Sequence, residues 1–140
     1  MKYLLDTCLI SELVKPRPSP RVSAWLAEQR EDDLYLSVLT LGEIQKGITP
    51  LPDSRRKARL QAWLDGDLTN RFRGRIVAIT DNVALIWGQI SGQAVRRGEP
   101  LSVIDALIAA SALAIDAVVV TRDESGARAA GARTVNPWEP

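Results

Sequence analysis

The sequence predicts one α/β domain of three layers, with helices on both faces of a short, mainly parallel sheet of about four to five strands. Three observations carry that expectation. Short apolar or β-branched runs of strand length alternate with longer runs of helical periodicity from one end to the other. No repeat, long linker or low-complexity segment interrupts them. The chain's 140 residues, 46% apolar and 25% charged, match one ordinary globular domain over residues 1–140.

Lys2 to Asp6 reads as a short buried strand, and Asp6-Thr7 can cap a helix that runs from Cys8 to Val14. Pro16 to Pro20 is a turn-rich connection, after which Val22, Trp25 and Leu26 repeat at helical spacing to about Arg30. Leu34-Tyr35-Leu36 is a second strand. It leads into a helix from Val38 to Gly47, with Leu41, Ile44 and Ile48 on one face, and Thr49-Pro50-Leu51-Pro52 ends it. A charged helix is expected from Asp53 to Leu64, with Leu60, Trp63 and Leu64 inward. Ile76 to Ile79 is a third strand, followed by a long helix capped by Thr80-Asp81 and running to Val95. Gly98-Glu99-Pro100 breaks it. Ser102 to Ile115 is a nearly all-apolar helix and so expected to be buried; Ala117 to Thr121 and Thr134-Val135 complete the strands.

Composition narrows the chemistry. There is no histidine, which rules out Ser-His-Asp and Cys-His catalysis and any nuclease with a histidine acid–base pair. Cys8 is the only cysteine, so no internal disulfide and no cysteine-based zinc site can form. Asp105 and Asp116 interrupt the longest apolar stretch, and Asp6 follows Met1 too closely for a secretory leader, so a cytoplasmic protein is expected. The net charge of +1 is not that of a nucleic-acid coat. Basic residues are nevertheless clustered at Arg55, Arg56, Lys57 and Arg59, at Arg71, Arg73 and Arg75, and at Arg96-Arg97. Such clusters are ordinarily solvated helix faces, but one beside an acidic centre could hold a phosphate backbone.

Four acids stand out by position. Each has an ordinary explanation: Asp6 as a helix cap, Glu43 three residues after Thr40 and Asp105 three after Ser102 as capping boxes, Asp123 as a turn residue. Their common location favours a joint role. Asp6 and Asp123 follow predicted strands, whereas Glu43 and Asp105 lie near helix starts. In a parallel sheet these places share one edge, where ligands gather. Asp105 stands on an otherwise apolar helix, where an unpaired buried charge is costly. Four converging carboxylates repel one another. A hard divalent cation relieves this, and oxygen-only ligands suit Mg²⁺ or Mn²⁺. Such a centre suits hydrolysis of a phosphodiester by a metal-activated water.

The segments LLDTCLISEL, LTLGEIQKGI, SVIDALIAASAL and VVTRD, followed by VNPW, resemble the PIN-domain toxins of type II toxin–antitoxin pairs, the VapC family and its FitB-like members. The likeness runs in order from Tyr3 to Trp138. It implies a PIN-like fold and an endoribonuclease in which Asp6, Glu43, Asp105 and Asp123 surround Mg²⁺ or Mn²⁺, supported by the hydroxyls of Thr7 and Thr121. It further implies a homodimer, an RNA substrate and a cognate antitoxin of the VapB or FitA kind that covers the acidic groove and binds operator DNA. Two positions depart from the pattern. Cys8 stands where many relatives carry Asn, a stronger hydrogen-bonding residue. Gly126 stands where many carry the fourth acid, which leaves that role to Asp123.

Two other functions fit the residues less well. A haloacid-dehalogenase-type phosphatase would need a second aspartate two residues after Asp6, and Cys8 is there. A catalytically silent PIN fold that only partners a DNA-binding antitoxin would gain nothing from clustered repulsion. Trp25, Trp63 and Trp87 share the apolar faces of their helices, so core packing is expected of them rather than base stacking.

Overall fold

A computed structural model describes residues 1–140. In chain order the main elements are β1 (Lys2–Leu5), α1 (Thr7–Leu13), α2 (Pro20–Glu28), β2 (Leu34–Ser37), α3 (Val38–Ile48) and α4 (Arg55–Ala62). After these come α5 (Thr69–Arg71), β3 (Ile76–Val77), α6 (Asp81–Arg96), α7 (Val103–Ala114), β4 (Ala117–Val120), α8 (Glu124–Ala129) and β5 (Thr134–Val135). The five strands form one parallel sheet in the order β3-β2-β1-β4-β5, with helices on both faces, as the alternation predicts.

Strand pleating sorts the core into two layers. Leu4 and Val119 point to one face and join Val83 and Ile90 of α6, Ile108 of α7, and alanines of α7, of β4 and of the stretch from α8 to Ala132. Leu5 and Val120 point to the other and join Leu9, Ile10, Val22, Leu36, Ile44, Leu68 and Phe72. The central strands are buried on both faces, so β4 reads Ala-Val-Val-Val without alternation. Trp25 and Trp63 pack against the second layer and Trp87 against the first, as core packing requires.

Several boundaries differ from the expectation. The charged helix does not end at Leu64. Its axis continues through a π-helical turn, Trp63–Leu68, into α5, burying Leu64, Leu68 and Phe72. The third strand pairs over Ile76 and Val77 only, and Ile79 is partly exposed. A short helix, α8, follows Asp123, where only a turn was expected; Gly126 and the single buried Ala127 give it little apolar periodicity to read. Arg71 and Arg75 hold Glu31, and both guanidiniums lie over the Phe72 ring, so this basic cluster is structural. Those two ion pairs, Arg71 before Arg75, hold the Glu31 carboxyl below the usual range. No helix is long and apolar enough to cross a membrane.

Candidate active site

Register brings the first two site residues together. Leu5 of β1 pairs with Val120 of β4, so the residues that follow each strand, Asp6 and Thr121, leave the sheet side by side. The Asp6 N–H donates to the Val120 carbonyl at 2.9 Å, and the Thr121 N–H donates to the Val135 carbonyl at 3.0 Å. Thr121 then donates its hydroxyl to Asp6 Oδ2 at 2.8 Å. The other oxygen, Oδ1, caps α1 by accepting from the Thr7 N–H at 2.8 Å. Both carboxylate oxygens are therefore held. Cys8 Sγ lies 3.7 Å from Asp6 Oδ2 and 3.7 Å from the Thr121 hydroxyl, a longer and weaker contact than the threonine's. Burial pushes the Cys8 thiol pKa up, and the Asp6 charge adds to this against a lowering backbone hydrogen bond from Arg122.

Glu43 comes from the second turn of α3. Ser37, not Thr40, is the N-cap there, accepting from the Leu39 N–H at 3.0 Å, so the expected capping box does not form. Glu43 Oε1 instead accepts the Thr7 hydroxyl at 2.6 Å. Thr7 Oγ1 is also 3.3 Å from the buried Thr40 hydroxyl; its single proton belongs to the shorter, charge-assisted bond. Thr40 therefore packs its buried hydroxyl beside Thr7 instead of capping α3.

Asp105 lies in the first turn of α7, and Ser102 caps that helix by accepting the Asp105 N–H at 3.3 Å. The expected burial of this acid is not observed. The helix is buried mainly from Ala106 to Ala112, but its first turn, Val103 to Asp105, is exposed, and the Asp105 carboxylate has no hydrogen bond or ion pair. Asp123 is the N-cap of α8 rather than a turn residue. Its Oδ1 accepts from the Ser125 hydroxyl at 2.7 Å and the Ser125 N–H at 3.2 Å, and these bonds, the hydroxyl's first, hold its carboxyl below the usual range. The Asp-x-Ser spacing signals that motif in sequence.

All four acids, with Thr7, Cys8 and Thr121, line one cavity of about 230 Å³ at the C-terminal edge of the sheet. No lysine or arginine lines it, and none of the four acids is ion-paired anywhere in the molecule. Uncompensated negative charge facing one concavity is an arrangement that attracts a cation. No three of the acids stand close enough to ligate one ion together in this arrangement. Beside the cavity, sharing Thr7 and Glu43 with it, runs a larger groove of about 850 Å³ between α1, α3 and α4. Its walls include Val14, Ile44, Ile48, Leu60 and Trp63, with Lys15, Arg56 and Arg59 along the rim.

The PIN domain family model matches residues 3–132. The chain is 36% identical over 137 residues to VapC ribonuclease Y4jK of Sinorhizobium fredii, covering 98% of each. It is 37% identical over 135 residues to Toxin FitB of Neisseria gonorrhoeae, covering 96% of this chain and 97% of that one. Among solved structures, FitAcB from Neisseria gonorrhoeae superposes with a TM-score of 0.92 at 36% identity, over 99% of both chains. VapBC2 from Rickettsia felis bound to a promoter DNA fragment matches in fold, with a TM-score of 0.80 at 22% identity over 97% of this chain and 98% of that one. The order of the strands, the acids at one sheet edge and these likenesses together show that the chain belongs to the PIN-domain family.

Proposed function

We propose that residues 1–140 form a single PIN domain and that the protein is the toxin of a type II toxin–antitoxin pair, a metal-dependent endoribonuclease acting in the cytoplasm. The observation that carries the catalytic reading is the cavity lined by Asp6, Glu43, Asp105 and Asp123 with no basic residue among its walls. An all-oxygen, strongly acidic donor set fits Mg²⁺ or Mn²⁺. When bound, such an ion offsets the charge that develops on a scissile phosphate and makes water a stronger nucleophile.

The chain's own residues prepare that site. Thr121 fixes Asp6 against the end of β4, and Thr7 turns Glu43 toward the same space. Asp123 keeps one oxygen on Ser125, and Asp105 offers a carboxylate without any competing partner. Relatives named as ribonucleases and toxins support RNA as the substrate. Solved complexes named FitAB and VapBC, some with DNA, support an antitoxin partner of the FitA or VapB kind, with DNA binding assigned to that partner. The apolar groove that opens into the acidic cavity offers that partner a surface, with Lys15, Arg56 and Arg59 ready to meet acidic residues. Leu85, Val95 and Val103, exposed on α6 and α7, are apolar surface that a homodimer would cover.

The test is cleavage of structured RNAs by the purified chain with Mg²⁺ or Mn²⁺, with EDTA, and with Asp6→Asn. Cleavage should require the metal. It should fall in the variant by more than the roughly 10- to 100-fold typical of a supporting residue. Cleavage that survives EDTA, or is equal in the variant, would overturn the proposal.

A further inference from the structure

Asp105 is the one acid of the site whose carboxylate no hydrogen bond or ion pair holds, and it lies close against the α8 backbone. A Cβ added at Gly126 would lie 2.7 Å from Asp105 Oδ2, 3.0 Å from Cγ and 3.4 Å from its Cβ. Outside its own chain neighbours and helix backbone, the three atoms nearest to that added atom all belong to Asp105. Seven of the other glycines meet nothing at all on the same test, Gly92 in α6 among them, and the eighth, Gly131, likewise. Gly126 is therefore singular among the glycines, and the nearest atoms to its open side belong to a site acid.

The residue also lies inside α8, where alanine would be the better helix former by about 1 kcal/mol, and its φ is not positive. Neither turn geometry nor packing against the core accounts for glycine at this place. The Asp105 side chain is exposed and flexible, so a methyl group at position 126 would be accommodated by moving the carboxylate rather than the helices. The cost falls on the site and not on the fold.

From this we infer that Gly126 is a positioning residue: the bare α8 backbone leaves the space in which the Asp105 carboxylate faces the other three acids. The inference rests on the metal-dependent reading above. It assigns Asp105 its place by absence of a side chain, whereas Thr7, Thr121 and Ser125 place the other acids by donating hydrogen bonds.

Mn²⁺ binding to the purified chain, followed by calorimetry and by the loss of the free-ion paramagnetic resonance signal, tests it without any RNA. Gly126→Ala should weaken Mn²⁺ binding about tenfold or more, as loss of a supporting contact does. The melting temperature of its metal-free form should be unchanged or raised. Gly92→Ala should bind Mn²⁺ as the parent does. In an Asp105→Asn background, Gly126→Ala should add no further loss, because it acts through that carboxylate. Equal Mn²⁺ binding by Gly126→Ala and the parent overturns the role of Gly126 while leaving the metal site intact. An additive loss in the Asp105→Asn background, or a lowered metal-free melting temperature, overturns it too, since Gly126 would then be structural. A parent chain that binds no Mn²⁺ removes the metal reading and this inference with it.

Discussion

On the α1–α3 side of the sheet the buried residues are large, Leu5, Leu9, Ile10, Leu36, Leu68 and Phe72 among them, and none is alanine. On the α6–α7–α8 side eight of the thirteen buried residues are alanine. The candidate site straddles this divide. Asp6 and Glu43 belong to the large-residue half and are held by Thr121 and Thr7. On the alanine side nothing polar holds Asp105, whose carboxylate lies against the backbone at Gly126, while Asp123 accepts from the Ser125 hydroxyl. Small side chains let backbones approach, and a close approach leaves room for a carboxylate only where the facing backbone carries no side chain. On the large-residue side, hydroxyls from neighbouring elements fix the acids.

This contrast can be broken most directly by exchanging sizes. Phe72→Ala, at a site with 0% exposure, should cost about 3–5 kcal/mol in urea unfolding through the cavity it leaves. Ala110→Leu, also at 0% exposure on the opposite face, should cost about 1–3 kcal/mol through overpacking. A neutral Ala110→Leu would mean that the alanine layer holds unfilled space, and the argument for close approach would fail.

The hydrogen-bonded half is sharpened by Thr121→Val, which removes the 2.8 Å donor to Asp6 while keeping the side chain's shape. Mn²⁺ affinity and RNA cleavage should fall about 10- to 100-fold. Unfolding should change by only about 1 kcal/mol. Unchanged metal affinity would show that Asp6 needs no support.

The smallest effect concerns Glu12 of α1, on the same side. Lys15 donates to it at 2.8 Å and the Trp138 indole N–H at 3.0 Å, tying α1 to the C-terminal segment. These bonds, the Lys15 contact first, lower its pKa against the opposing effect of burial. A depressed folded pKa means that the stabilisation is whole above the unfolded value of about 4.3 and is lost as pH falls through the folded one. Glu12→Gln should therefore flatten the decline in thermal stability below about pH 4.3. Parallel curves for parent and variant would remove Glu12 from the account.

Much of the site was legible because the same residues do two jobs. Asp6 is a helix cap and a candidate site acid at once, and it stands where β1 gives way to α1. That place is the ligand-bearing edge of a parallel sheet, so the bland reading and the functional one point to the same atoms. Glu43 was found for the wrong local reason, since Ser37 caps α3 and Glu43 is free to meet Thr7. Exposure of Asp105 is not legible, because an apolar helix says nothing of which of its turns the rest of the molecule covers. Helix α8 was missed because six residues with one buried alanine carry almost no periodic signal.

What the sequence by itself determined is the alternation of strand and helix, and with it the parallel sheet, the common edge of the four acids, and a chemistry confined to oxygen ligands by the absence of histidine and of a second cysteine. Those properties follow from periodicity, capping and composition, which act over a few residues. Tertiary structure alone decided that Thr121 holds Asp6, that Thr7 holds Glu43, and that Gly126 lies against Asp105. Each of these joins residues from different elements. Their distances depend on strand register and on how closely the alanine-rich layer lets α7 and α8 approach, which no local pattern specifies.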